Sequence, residues 1–136
     1  MKIVLDANVF VSAFFRGGLP RSVTNRYAQK LDTLFISGEI IDEIKHALSM
    51  SKFKLNKRQL DGIIENIERH GRMVVIFPKH RVTGVCRDPD DDIYLECAIA
   101  AGADYIITGD RDLLDLKEYG GVKIVNARSY LDIVGG

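Results

Sequence analysis

The sequence has little that would place it outside the cytosol. Its two cysteines, Cys86 and Cys97, stand eleven residues apart with no C-x-x-C spacing. That pattern argues against a disulfide framework and fits free thiols in a reducing compartment. No apolar run approaches the length of a membrane span. Met1-Lys2 leads straight into Ile3-Val4-Leu5 and then Asp6, so no signal peptide, no membrane and a cytoplasmic location are expected. Neither sign of charge is in excess, with 19 Lys and Arg against 19 Asp and Glu. Bulk electrostatics therefore announces no nucleic-acid partner and leaves any such contact to local patches.

Common catalytic signatures are missing too. There is no G-x-S-x-G, P-loop or G-x-G-x-x-G. His46, His70 and His80 are scattered, which argues against a zinc site or a Cys–His nucleophile. Glu43-x-x-His46 has the spacing of a di-iron helix pair, but a bundle site needs two such motifs and the chain has one. Repeats, low-complexity tracts and linkers are also absent, so residues 1–136 read as one domain.

What is present is a run of strands alternating with helices. Lys2 to Leu5, Thr33 to Ile36, Met73 to Phe77, Asp104 to Ile107 and Val122 to Val125 have strand character. Helices are expected from Asn8, over Arg21 to Leu31, after a Ser37 cap, and after the capping-box pair Asn56 and Gln59. Others are expected after Asp88-Pro89, over Leu113 to Tyr119, and over Ala127 to Val134. Crossovers of this length argue for a parallel sheet covered on both faces.

The chain's centre of gravity is Arg87 to Asp112, RDPDDDIYLECAIAAGADYIITGDRD. Asp88, Asp90, Asp91 and Asp92 crowd its first turn, and Asp110 and Asp112 close it. Charges so close repel one another, and a divalent cation is the usual agent of relief. In open α/β sheets, ligands bind beyond the carboxyl ends of strands. Asp6 and Asp110 stand just past strand ends, Glu43 lies in the helix after the second strand, and Asp91 and Asp92 open the helix leading to the fourth. An oxygen-only cluster without His or Cys suits Mg²⁺ or Mn²⁺. Such an ion can activate water against a phosphodiester. Each acid also has a plain structural reading: Asp6 or Asn8 as a helix cap, Asp88 as another, Glu43 as a solvated helix residue, and Asp112 and Asp115 on an exposed face. Their joint placement at strand ends is what those readings leave unexplained. Two basic segments, Arg16, Arg21 and Arg26, and Lys52, Lys54, Lys57 and Arg58 around Phe53, are either solvated faces or a track for a phosphate backbone.

Three stretches together resemble the PIN-domain family, the PilT N-terminus-like proteins that include the VapC-like toxin ribonucleases. They are IVLDANVFVSAF (3–14), ISGEIIDEI (36–44) and RDPDDDIYLECAIAAGADYIITGDRDLL (87–114). The resemblance implies a three-layer α/β/α sandwich with a central parallel sheet. It also implies an Mg²⁺- or Mn²⁺-dependent endoribonuclease acting on single-stranded RNA, often as a homodimer and paired with a small antitoxin. The family's acids fall on Asp6, Glu43, Asp91 or Asp92, and Asp110. Counting back from Thr108-Gly109-Asp110 favours Asp92 over Asp91 for the third. The catalytic set implied is thus Asp6, Glu43, Asp92 and Asp110, with metal on Asp6, Asp91, Asp92 and Asp110. Asn8, Ser12 and Thr108 match the supporting polar residues, while Ala7 departs from the Thr or Ser common there. Two other readings stay open. One is a haloacid-dehalogenase-like phosphatase, imitated by strand-Asp6 and Gly109-Asp110…Asp115 but lacking the second Asp at Asn8. The other is a PIN-like module that binds RNA or protein without cutting.

Overall fold

Ile3, Val4 and Leu5 are buried and form the centre of the sheet, as a continuous apolar run predicts. This strand, β1 (Lys2–Leu5), is flanked by β2 (Thr33–Ser37) and β4 (Tyr105–Ile107), both parallel to it. Outside them lie β3 (Gly71–Val74) and β6 (Val122–Val125), also parallel, and then β5 (Glu118–Tyr119), antiparallel to β6. The order is β3-β2-β1-β4-β6-β5. The computed structural model describes residues 1–135, with the side chain of residue 51 left aside. Seven α-helices flank the sheet in a three-layer α/β/α sandwich: α1 (Ala7–Phe15), α2 (Gly18–Ala28), α3 (Gly38–Leu48), α4 (Lys57–His70), α5 (Asp92–Ala101), α6 (Arg111–Leu114) and α7 (Ala127–Val134). No described helix is long and apolar enough to cross a membrane, and Cys86 and Cys97 are free buried thiols.

Local signals set most boundaries. Asp6 caps α1, Ser37 caps α3, and Asn56 and Gln59 exchange both bonds of a capping box at 2.8 and 2.9 Å. Four expectations need correction. The second helix begins at Gly18, because Pro20 is tolerated in a first turn, where its missing N–H is not needed. The third strand runs Gly71–Val74 rather than Met73 to Phe77. Its only partner, β2, ends at Ser37 opposite Val74, so nothing remains for residues 75–77 to pair with. Asp88-Pro89 opens a 3-10 turn (Pro89–Asp91) before α5 begins. The helix expected over Leu113 to Tyr119 stops at Leu114, and Glu118–Tyr119 returns as a strand. Gly120-Gly121, with φ of 56° and 84°, makes the two-residue hairpin loop that pairs Tyr119 with Val122. A side chain at Gly120 would collide with Ile99. The sheet is therefore parallel except for this edge.

This topology decides where the acids go. Every parallel strand ends at one edge, and every helix that follows such a strand begins there. Asp6, Ser37, Thr108 and Asn126 all stand at that edge, and the loop after β3 brings the start of α5 to it.

Candidate active site

Asp6 is buried, and both of its oxygens are engaged. Oδ1 accepts the Asn8 N–H at 3.0 Å, and Oδ2 accepts the Thr108 hydroxyl at 2.6 Å. Thr108 is fully buried, and its Oγ1 also accepts the Asp110 N–H at 2.9 Å. One hydroxyl thus locks the loop after β4 to the residue after β1, with its proton committed to Asp6. Asp110 in turn caps α6, its Oδ1 accepting the Asp112 N–H at 2.9 Å.

Asp91 and Asp92 are both buried but do different things. Asp92 turns away and accepts the backbone N–H of Cys86 at 2.9 Å. One turn on, buried Glu96 accepts Val82 N–H at 3.0 Å and Arg81 Nη1 at 3.1 Å. These two carboxylates pin the 82–86 loop against α5. Asp91 faces the pocket instead. Oxygens of Asp91, Asp110 and Asp112 lie within 4.8 Å of one another, and buried Asp91 Oδ2 has no hydrogen-bond partner. Burial, then a hydrogen bond shared with Asp110, then the charges of Asp110, Asp6 and Asp88, push the Asp91 carboxyl up to about 8. Asp91 therefore keeps its proton at neutral pH when no cation is bound.

Buried Tyr94 of α5 also reaches the residue after Asp6. Its hydroxyl oxygen accepts the Ala7 N–H at 3.1 Å, and burial followed by the charge of Asp6 raises its ionisation well above the usual phenol range. Glu43 and Asp91 add to that effect, so Glu43, partly exposed beside Glu39, Asp42 and Asp90, stands near enough for its field to reach the same hydroxyl. Asp112 was expected on an exposed face; it is part of the acid group and pairs with Arg87 at 3.5 Å. The signal was the i, i+2 spacing of Asp110 and Asp112, which the capping turn folds into proximity. Asn8 is exposed, and with partly buried Ser12 it lines two clefts beside the acids rather than the acid group itself.

The donor set is all oxygen, with a buried carboxylate atom left without a partner. Both features fit a hard divalent cation, which would replace the proton on Asp91.

Fold and site define an α/β sandwich with a carboxylate pocket at the carboxyl edge of its sheet. The chain belongs to the PIN-domain family, whose model (PIN_3, PIN domain) it matches over residues 2–112. Members of that family are typically nucleases that bind divalent metal through acidic residues. Among solved structures, the chain is similar to VapBC2 from Rickettsia felis, crystallised with a DNA fragment from its promoter. Identity is 17%, with 93% of this chain and 98% of that chain covered, at a TM-score of 0.65. It is also similar to PAE2754 from Pyrobaculum aerophilum, at 14% identity, with 99% and 98% covered and a TM-score of 0.59. At these identities the likeness speaks to the fold. No curated protein matches the chain.

Proposed function

We propose that this protein is a metal-dependent endoribonuclease that hydrolyses single-stranded RNA in the cytoplasm, the toxin half of a toxin–antitoxin pair. The observation that carries the reading is Asp91: a buried carboxylate with a partnerless oxygen, facing Asp110 and Asp112 and within the field of Asp6. Like charges so placed are stable only with a proton or a cation among them. Asp91, Asp110 and Asp112 would hold Mg²⁺ or Mn²⁺, with Asp6 completing the group directly or through water. When bound, the ion supplies an activated water and offsets charge developing on the phosphodiester. Thr108 fixes the Asp6 carboxylate in one orientation. Asp92, placed in the ligand set by the family spacing, serves here to anchor the loop that delivers Asp91. Glu43 and protonated Tyr94 line the approach, where Glu43 can take a proton from an attacking water.

The phosphatase alternative is weakened by Asn8. Its backbone satisfies Asp6 and its exposed side chain offers no second acid. By analogy with the VapBC2 complex a small antitoxin is a proposed partner, and a homodimer is proposed from the family resemblance. Asp6→Asn should abolish Mn²⁺-dependent cleavage of single-stranded RNA while the circular-dichroism melt stays cooperative. Undiminished cleavage by that variant would sink the assignment.

A further inference from the structure

Beside the acids, the end of α1 meets the turn after α3 in a cleft of about 290 Å³. Phe15 and Phe53 stack there, with ring centroids 4.5 Å apart and planes 18° from parallel. The Lys52 ammonium sits 5.1 Å from the centre of the Phe53 ring. Phe15 keeps 43% of its surface exposed. Arg16 completes the wall, and Asn8 and Ser12 form the end nearest the acids.

The charges select an occupant. Of the first basic segment, Arg26 is spent on Asp32 and Arg21 on the carbonyls of Ala13 and Phe14. Arg16 and Lys52 make no ion pair among the described residues. Asn8 and Ser12 also line a second cleft, of about 270 Å³, that continues past Thr108 to Asn126 and Arg128. Arg128 likewise has no ion-pair partner among the described residues. The two clefts meet at Asn8 and Ser12, and Asn8 and Thr108 both bond Asp6, so a track with cations free of ion pairs at each end passes beside the first of the acids and matches a chain of phosphates. The exposed ring adds what a phosphate chain alone does not need, a flat apolar face for a base.

We propose that Phe15, Phe53, Arg16 and Lys52 form a nucleotide subsite flanking the acid pocket. There one base of a single-stranded RNA stacks on Phe15 and the adjoining phosphate lies between Arg16 and Lys52. The inference rests on the ribonuclease reading and adds where the strand runs. Stacking on a ring tolerates any base, so the subsite sets register and affinity, not sequence.

The test is fluorescence anisotropy of a short, labelled, mixed-sequence single-stranded RNA in EDTA, so that no cleavage intervenes. Phe15→Leu keeps an apolar side chain and should weaken binding about tenfold, as loss of one stacked base does. An RNA of abasic nucleotides should bind wild type and Phe15→Leu equally. Arg16→Gln with Lys52→Gln should lower affinity and flatten the dependence of log affinity on log salt by about 0.7, the value for one neutralised phosphate on a single strand. Wild-type affinity in Phe15→Leu, or an unchanged salt slope in the double variant, would overturn the subsite and leave the cleft to a protein segment. If the wild type still cleaves RNA in that case, only the subsite has failed. A wild type that neither binds nor cleaves RNA fails the ribonuclease reading and takes the subsite with it.

Discussion

Asp91→Asn removes one proton-binding site and changes almost no shape, so it isolates the electrostatics of the acid pocket. In the cation-free protein the Asp91 carboxyl titrates at about 8, against 3.8 for the ordinary group. Its folded value lies above its unfolded one, so the folded state holds the extra proton. The associated stability is fully present below the unfolded value and is lost as pH rises through the folded one. At about pH 7 the linkage cost comes to roughly 4 kcal/mol if Asp91 alone holds the proton. Solvent screening at the open pocket brings the expected cost to roughly 2 kcal/mol. Asn at this position has no charge to desolvate and can donate to Asp110.

Urea unfolding in EDTA across a pH series reads this directly. Wild type and variant should be nearly equal near pH 4, and the variant more stable by roughly 2 kcal/mol near pH 8. Saturating Mn²⁺ should reverse the order. Wild type gains by mass action on the folded state, and the variant, missing a ligand, gains much less. A variant less stable than wild type in EDTA near pH 8, or a gap that does not widen with pH, would refute the claim that Asp91 is held against like charge. Equal Mn²⁺ gains would refute its role as a ligand.

Two further outcomes follow from the same contacts. Asp92→Ala should cost about 1–3 kcal/mol by leaving the buried Cys86 N–H unpaired, while Asp92→Asn, which keeps an acceptor, costs little and retains most of the Mn²⁺-induced stabilisation; a complete loss of that stabilisation in Asp92→Asn would instead make Asp92 a ligand. Asp32 has a fully buried side chain that accepts Arg26 Nε at 2.9 Å and the amino terminus at 3.3 Å. Burial acts to raise its carboxyl, but bonds from Arg26 and the amino terminus outweigh that and hold it below the usual range. Its contribution is therefore present above the ordinary carboxylate value and lost as pH falls through the lowered one, so Asp32→Ala should cost roughly 3 kcal/mol near neutrality, and a loss unchanged at acid pH would contradict the pairing.

What could be read in the sequence was what short-range chemistry decides. The Asp after β1, the Ser37 cap, the Asn56–Gln59 capping box and the Thr108-Gly109-Asp110 turn each involve residues within three positions of one another. β3 and β5 were misplaced because strand limits belong to the partner strand. Val74 is the last residue with Ser37 beside it, and Glu118 joins the sheet only because Gly120-Gly121 can turn the chain back. A Gly-Gly pair before a β-branched run was a hairpin signal, overridden by the apolar spacing of Leu113, Leu114 and Leu116.

The choice between Asp91 and Asp92 shows where such reading ends. Successive residues of a helix point about 100° apart, so only one of two adjacent carboxylates can face a given pocket. Counting back from β4 fixes a position along the helix but not the rotation at its start. Here the chain enters α5 through a 3-10 turn at Pro89–Asp91, whose winding differs from the helix it feeds. The rotation is then set by a partner several residues upstream. The Cys86 N–H needs an acceptor once buried, Asp92 supplies it, and Asp91 is left beside Asp110 and Asp112 with its Oδ2 unpartnered. That bond between Cys86 and Asp92 depends on the path of the 82–86 loop, which Glu96 holds through Val82 and Arg81. On the proposed reading, then, Asp91 is presented by two carboxylates bonded to the 81–86 segment, and sequence spacing alone carries no trace of those bonds.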